Sequence, residues 1–158
     1  MTRPTIRELL SYRLHQVANL LSRGAEMRYR REFGVSLWEW RTVALLGGAV
    51  EAQSLNDLAR AAGMDKGQMS RVVSGLTARR IVSRQTDAND ARGIRLTLTA
   101  TGGKLYQKLI KAAAERNSAF LGCLSARERS CLEQAMTKLA REARGFIQAE
   151  KQVRKNGV

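Results

Sequence analysis

Five side chains in one short stretch, Lys66, Gln68, Ser70, Arg71 and Ser74, carry the polar chemistry with the clearest pattern in this 158-residue chain. All of them donate hydrogen bonds, and Lys66 and Arg71 add positive charge. They lie opposite Met69, Val72, Val73 and Leu76, which recur at helical spacing and form a candidate buried stripe. A helix face of donors and cations suits a DNA major groove, where such side chains meet phosphates and base edges. The same residue types also belong on the solvated face of any soluble helix. The flanking elements decide between these readings.

Upstream, Ser54 is a cap candidate with Asp57 three places on, and Leu55, Leu58, Ala59 and Ala62 recur as one helix face. Gly63 ends that helix by taking the left-handed conformation. Asp65, with Gln68 three places on, starts the next, so the pair reads as a helix-turn-helix. Downstream, Ile81-Val82 leads into Ser83-Arg84-Gln85-Thr86, and Ile94 to Leu98 alternates with period two, as in a two-stranded antiparallel ribbon. Its polar tip holds Asp90, Arg92 and Gly93. Arg92 is positioned to enter a minor groove, with Asp90 holding the loop or the arginine in place; a surface ion pair is the plainer alternative. A helix-turn-helix followed by a wing is the expected unit.

Five short motifs, in order, extend the pattern: Ser36-Leu37-Trp38-Glu39-Trp40-Arg41, Ala62-Gly63, Ser70-Arg71, Asp90-Ala91-Arg92 and Leu98-Thr99-Ala100-Thr101-Gly102. From about Leu9 to Ala149 the chain resembles the MarR family of winged helix-turn-helix transcriptional regulators. The resemblance implies a homodimer on double-stranded DNA, at a pseudopalindromic operator, often repressing transcription until a small molecule binds. In the resembled family, the cleft between the dimerisation helices and the reader admits phenolic or aromatic carboxylate ligands. Tyr12, His15, Trp38 and Arg41 are the candidates to line it here, the arginine fork meeting a carboxylate while a ring packs against the aromatic groups. Three departures from the family pattern involve four positions. Ser74-Gly75 stands where many members have an acidic and then a basic residue, Thr77 where an acidic residue is common, and Ile81 where leucine is frequent.

Composition agrees with a nucleic-acid partner. The net charge is +14, with 44% hydrophobic and 5% aromatic residues. A polyanionic partner is favoured, and the core is expected to be aliphatic. Residues 1–59 hold eight basic and six acidic side chains, residues 60–99 eight and three, and residues 100–158 twelve and five. Positive charge therefore extends beyond the reader into the terminal helices, where most of it is read as solvation. The start MTRPTIRELL lacks a signal-peptide run and no stretch is apolar enough to cross a bilayer, so a cytoplasmic protein without membrane association is expected. Cys123 and Cys131 form no CxxC and have no neighbouring histidine. Free thiols are expected, with no metal site and no cofactor. A single histidine and the lack of a phosphate loop or nucleophile elbow leave no catalytic residues to assign, so no enzyme is expected.

The elements that must hold the reader are long helices. One is expected from about Thr5 to Arg30, roughly 39 Å at 1.5 Å per residue, with Ile6, Leu10, Leu14, Val17, Leu21 and Met27 as its stripe. Arg28, Arg30 and Arg31 crowd its exit as a solvated end. Ser36 and Glu39 form a capping pattern for a second helix that stops at Gly47-Gly48. Thr99 caps a helix to about Leu121, with Leu105, Leu109, Ala112, Ala113 and Phe120 on its apolar side. Ser125 and Glu128 open the last helix, which carries Leu132, Ala135, Met136, Leu139, Ala143, Phe146 and Ile147 and ends near Ala149.

The fold class is thus mainly α with a small β wing. Residues 1–34 form an N-terminal dimerisation helix, 35–99 the winged helix-turn-helix, 100–150 the C-terminal dimerisation helices, and 151–158 a flexible tail. The expected function is a dimeric, sequence-specific transcriptional regulator, a repressor released by a small aromatic acidic ligand. The alternative is an architectural DNA-binding protein with little sequence preference and no effector.

Overall fold

Side-chain caps set most of the helix starts in this computed structural model, which describes residues 5–86 and 94–156. The chain divides into two compact units, Met1–Ala112 and Ala113–Val158. In the first, a tight turn Ile6–Glu8 precedes α1 (Leu10–Phe33), α2 (Leu37–Gly47), β1 (Gln53–Ser54), α3 (Leu55–Ala62), α4 (Lys66–Ala78), β2 (Val82–Thr86) and β3 (Ile94–Leu98). The division falls within α5 (Ala100–Gly122), and α6 (Ala126–Asn156) belongs to the second unit.

Ser36 accepts from the Glu39 amide at 3.1 Å while the Glu39 carboxylate accepts from the Ser36 amide at 2.7 Å, the reciprocal box expected at the start of α2. Ser54 accepts from the Asp57 amide at 3.1 Å to start α3. Asp65 does the same for α4, its Oδ1 accepting from the Gln68 amide at 2.8 Å. Gly63 ends α3 at φ 67°, as the turn requires.

Differences from the expected boundaries have local causes. The first helix begins at Leu10, not Thr5, because Glu8 folds back on the Thr5 amide at 2.9 Å and Leu9 adopts an extended conformation. It runs past Arg30 to Phe33, where Gly34 turns left-handed. Nor are the arginines at its exit merely solvated. Arg28 donates to Glu32 at 3.0 Å and to the Ala112 carbonyl at 3.2 Å, Arg31 donates to Glu32 at 2.9 Å, and Arg30 pairs with Glu26. The last helix continues through Asn156, since Glu150, Lys151, Gln152, Arg154 and Lys155 favour helix and no glycine lies between Ala149 and Gly157.

The ribbon is a three-stranded antiparallel sheet ordered β1-β3-β2. Val82 pairs with Leu98 and Arg84 with Leu96, while Gln53 pairs with Leu96 and Ser54 with Arg95. Two residues carry no readable period, so β1 has no signature in the sequence. The core of the first unit gathers Val35, Trp40, Val43 and Leu46 with Leu58, Met69, Val73, Leu76, Ile81, Val82 and Leu96. Tyr29 closes it from α1, its ring 5.4 Å from that of Trp40.

Along α1 only Ala25 and Tyr29 are buried. The stripe of Ile6, Leu10, Leu14, Val17, Leu21 and Met27 is exposed. In the second unit, Ser125 and Glu128 form the expected cap, and Leu132, Met136, Leu139, Phe146 and Ile147 on α6 are likewise exposed. No helix among the described residues is long and apolar enough to cross a membrane.

Candidate nucleic-acid interface

Burial of one stripe orients α4. Met69, Val73 and Leu76 are fully buried, and Val72, expected with them, lies half-buried at the flank. The fully buried Thr42 hydroxyl on α2 donates to the Trp38 carbonyl at 2.9 Å and lies 3.6 Å from the sulfur of Met69. Held this way, α4 turns Lys66, Gln68, Arg71 and Ser74 to solvent, with Ser70 half-buried beside them. The expected donor face is therefore gathered on one side of one helix. Its residues Lys66–Ala78 include no carboxylate to compete for a phosphate.

The C-terminal end of α4 is tied down twice. Arg79 donates to Glu39 at 2.9 Å and to the Gly34 carbonyl at 3.1 Å, joining α4 to the corner between α1 and α2. Arg80 then takes φ 54°, with its amide on the Thr77 carbonyl at 2.9 Å and the Ile81 amide on the Leu76 carbonyl at 2.9 Å. These two bonds are the pair that normally closes a helix over a left-handed glycine. The Thr99 hydroxyl donates to the Arg80 carbonyl at 2.7 Å and also caps α5 by accepting from the Gly102 amide at 3.0 Å. The end of α4 and the start of α5 are thereby fixed to each other.

The wing strands lie beside this face. Arg84 on β2, absent from the residues expected at the site, donates to Ser74 Oγ at 2.9 Å. Period-two alternation was the available signal, since Arg84 shares a strand face with buried Val82. Asp90 and Arg92 fall outside the described residues.

The four residues expected around a ligand separate into two groups. Arg41 stacks over the Trp38 ring, its guanidinium carbon 4.7 Å from the centroid. Arg41 also lines a hollow of about 340 Å³ with Trp40, Ala44, Leu45, Ala61 and Ala62. Of the four, only Arg41 lines it; Tyr12, His15 and Trp38 do not. His15 is exposed on α1, its Nε2 2.9 Å from Asn19 Nδ2. Cys123 and Cys131 are free and exposed.

Comparison with known proteins gives this geometry a context. Residues 33–93 match the model of the MarR family. A MarR/EmrR family transcriptional regulator from Acinetobacter sp. ADP1 is 25% identical, with a TM-score of 0.81 over 90% of this chain and 99% of that one. AbsC, a MarR family transcriptional regulator from Streptomyces coelicolor, is 22% identical, with a TM-score of 0.79 over 92% and 99%. MepR from S. aureus, in a complex with DNA, is 21% identical, with a TM-score of 0.79 over 85% and 98%. The last two likenesses are likenesses of fold.

Proposed function

We propose that this chain, whose residues 33–93 match the MarR family of transcriptional regulators, is a member of that family and acts as a homodimeric, sequence-specific DNA-binding repressor. The observation that carries the proposal is the outer face of α4, where Lys66, Gln68, Arg71 and Ser74 are all exposed on a helix packed firmly from behind. Lys66, Gln68 and Arg71 serve groove and backbone contact, Ser70 and Ser74 shorter hydrogen bonds, and Arg92 with Asp90 the minor groove.

The exposed stripes of α1 and α6 support self-association, because apolar rows of that length are expensive to leave in water. A second copy covers them and brings two recognition helices to successive major-groove faces about 34 Å apart. Trp38 and Arg41 support an aromatic carboxylate or phenolic effector, a stacked guanidinium offering a fork to the carboxylate and a ring to pack against.

Selection from a pooled random duplex library, at near-physiological salt with excess competitor, tests the reading. The expected product is an inverted repeat with half-site centres about one helical turn apart. Binding without enrichment would instead support the architectural alternative, toward which the +14 charge points. With the selected duplex in hand, an aromatic acid such as salicylate is expected to weaken binding, and Arg41→Ala to remove that response.

A further inference from the structure

Along β2, Val82, Arg84 and Thr86 share one face of the strand. Val82 is in the core, and Arg84 pairs across the sheet with buried Leu96. Continuing outward on that face, the Arg84 side chain leaves the core edge and meets α4, where Nη2 donates to Ser74 Oγ at 2.9 Å. Ser74 sits one helical turn beyond Ser70 and Arg71, on the same outward side. At this level α4 has no long donor of its own. Its neighbours there are Gly75 and Ala78, and the space in front of Gly75 is open.

We propose that Arg84 is a DNA-contacting residue, whose guanidinium completes the donor face of α4 by reaching a phosphate oxygen where the helix itself carries only short side chains. Ser74 is its positioning residue. A hydroxyl engages one N–H without cancelling the charge, so the remaining donors of the fork stay available. The bare surface at Gly75 and Ala78 lets a sugar-phosphate strand approach that a longer side chain would hold off. This inference rests on the DNA-binding reading above but not on sequence specificity, since a phosphate contact acts on every duplex alike.

The test measures affinity against salt concentration for a mixed-sequence duplex of fixed length, using the full chain. Arg84→Ala is expected to weaken binding about tenfold and to reduce the slope of log K against log salt by about two, one phosphate contact from each protomer of the dimer, while Arg84→Lys keeps the slope. Ser74→Ala is expected to weaken binding more when Arg84 is present than in an Arg84→Ala background, because part of its effect passes through that guanidinium. Arg84 is exposed, so unchanged thermal melting is expected to accompany the loss. An Arg84→Ala variant with the affinity and slope of the unmodified chain overturns the contact. Equal effects of Ser74→Ala with and without Arg84 overturn the positioning role. Failure of the unmodified chain to bind any duplex overturns the DNA-binding reading itself, and this inference with it.

Discussion

Arg80 occupies a backbone position that glycine fills at the end of α3. Both helices close with the same pair of amide bonds, Gly63 and Met64 in one case and Arg80 and Ile81 in the other. A side chain at φ 54° costs about 1 kcal/mol or more. Arg80→Gly removes that strain and adds backbone entropy to the unfolded chain, a smaller opposing effect, so a net gain of about 0.5 kcal/mol is expected in urea unfolding. Gly102 shows the opposite balance. Alanine is ordinarily better than glycine in a helix by about 1 kcal/mol. Here its Cβ would lie 2.1 Å from the Ile81 carbonyl oxygen, which accepts from the Thr99 amide at 3.0 Å and has little freedom to move. Gly102→Ala is expected to destabilise by about 2 kcal/mol, overpacking winning over propensity. Gly103→Ala next to it, with open space around the new methyl, is expected to stabilise, and the two unfolding curves side by side check the steric argument.

At the scale of elements, capped helices are legible in the sequence because a cap is a local chemical pattern: Ser36 with Glu39, Ser54 with Asp57 and Asp65 with Gln68 all start helices where expected. The buried stripe and donor face of α4 are legible for the same reason, through spacing alone. What depends on tertiary placement is not. Arg84 can be assigned to a strand face but not to Ser74, because that meeting depends on how β2 packs beside α4. The exit of α1 is another case, since composition suggests a solvated cluster and the structure pairs it. Hydrogen bonds from Arg28 and then Arg31 hold the Glu32 carboxyl below the ordinary glutamate value of 4.5. A carboxylate with a lowered pKa contributes stability above that value and loses it as the pH falls through the folded one. The difference in melting temperature between the unmodified chain and Glu32→Gln is therefore expected to be largest near neutrality and to shrink as the pH falls below 4.5.

For the whole molecule, the apolar residues left in water on α1 are the observation that supports the proposed second copy. Leu14 lies midway along that stripe and is exposed. Leu14→Glu places a charge where the proposed partner helix would bury it, and sedimentation should show a monomer. The winged helix is expected to remain folded, while affinity for a two-half-site duplex falls about a hundredfold through loss of the paired attachment. The sheet ties the wing to the reading motif in a further way. Because β3 lies between β1 and β2, one strand holds both the wing and the residue that caps α3: Ser54 is opposite Arg95, and Arg95 is opposite Gln85. Opening that strand frees both neighbours at once. Amide protons bonded across β1-β3 and β2-β3 should therefore exchange with solvent deuterium as one cooperative group, at a shared rate, and a bound duplex that slows one set should slow the other equally.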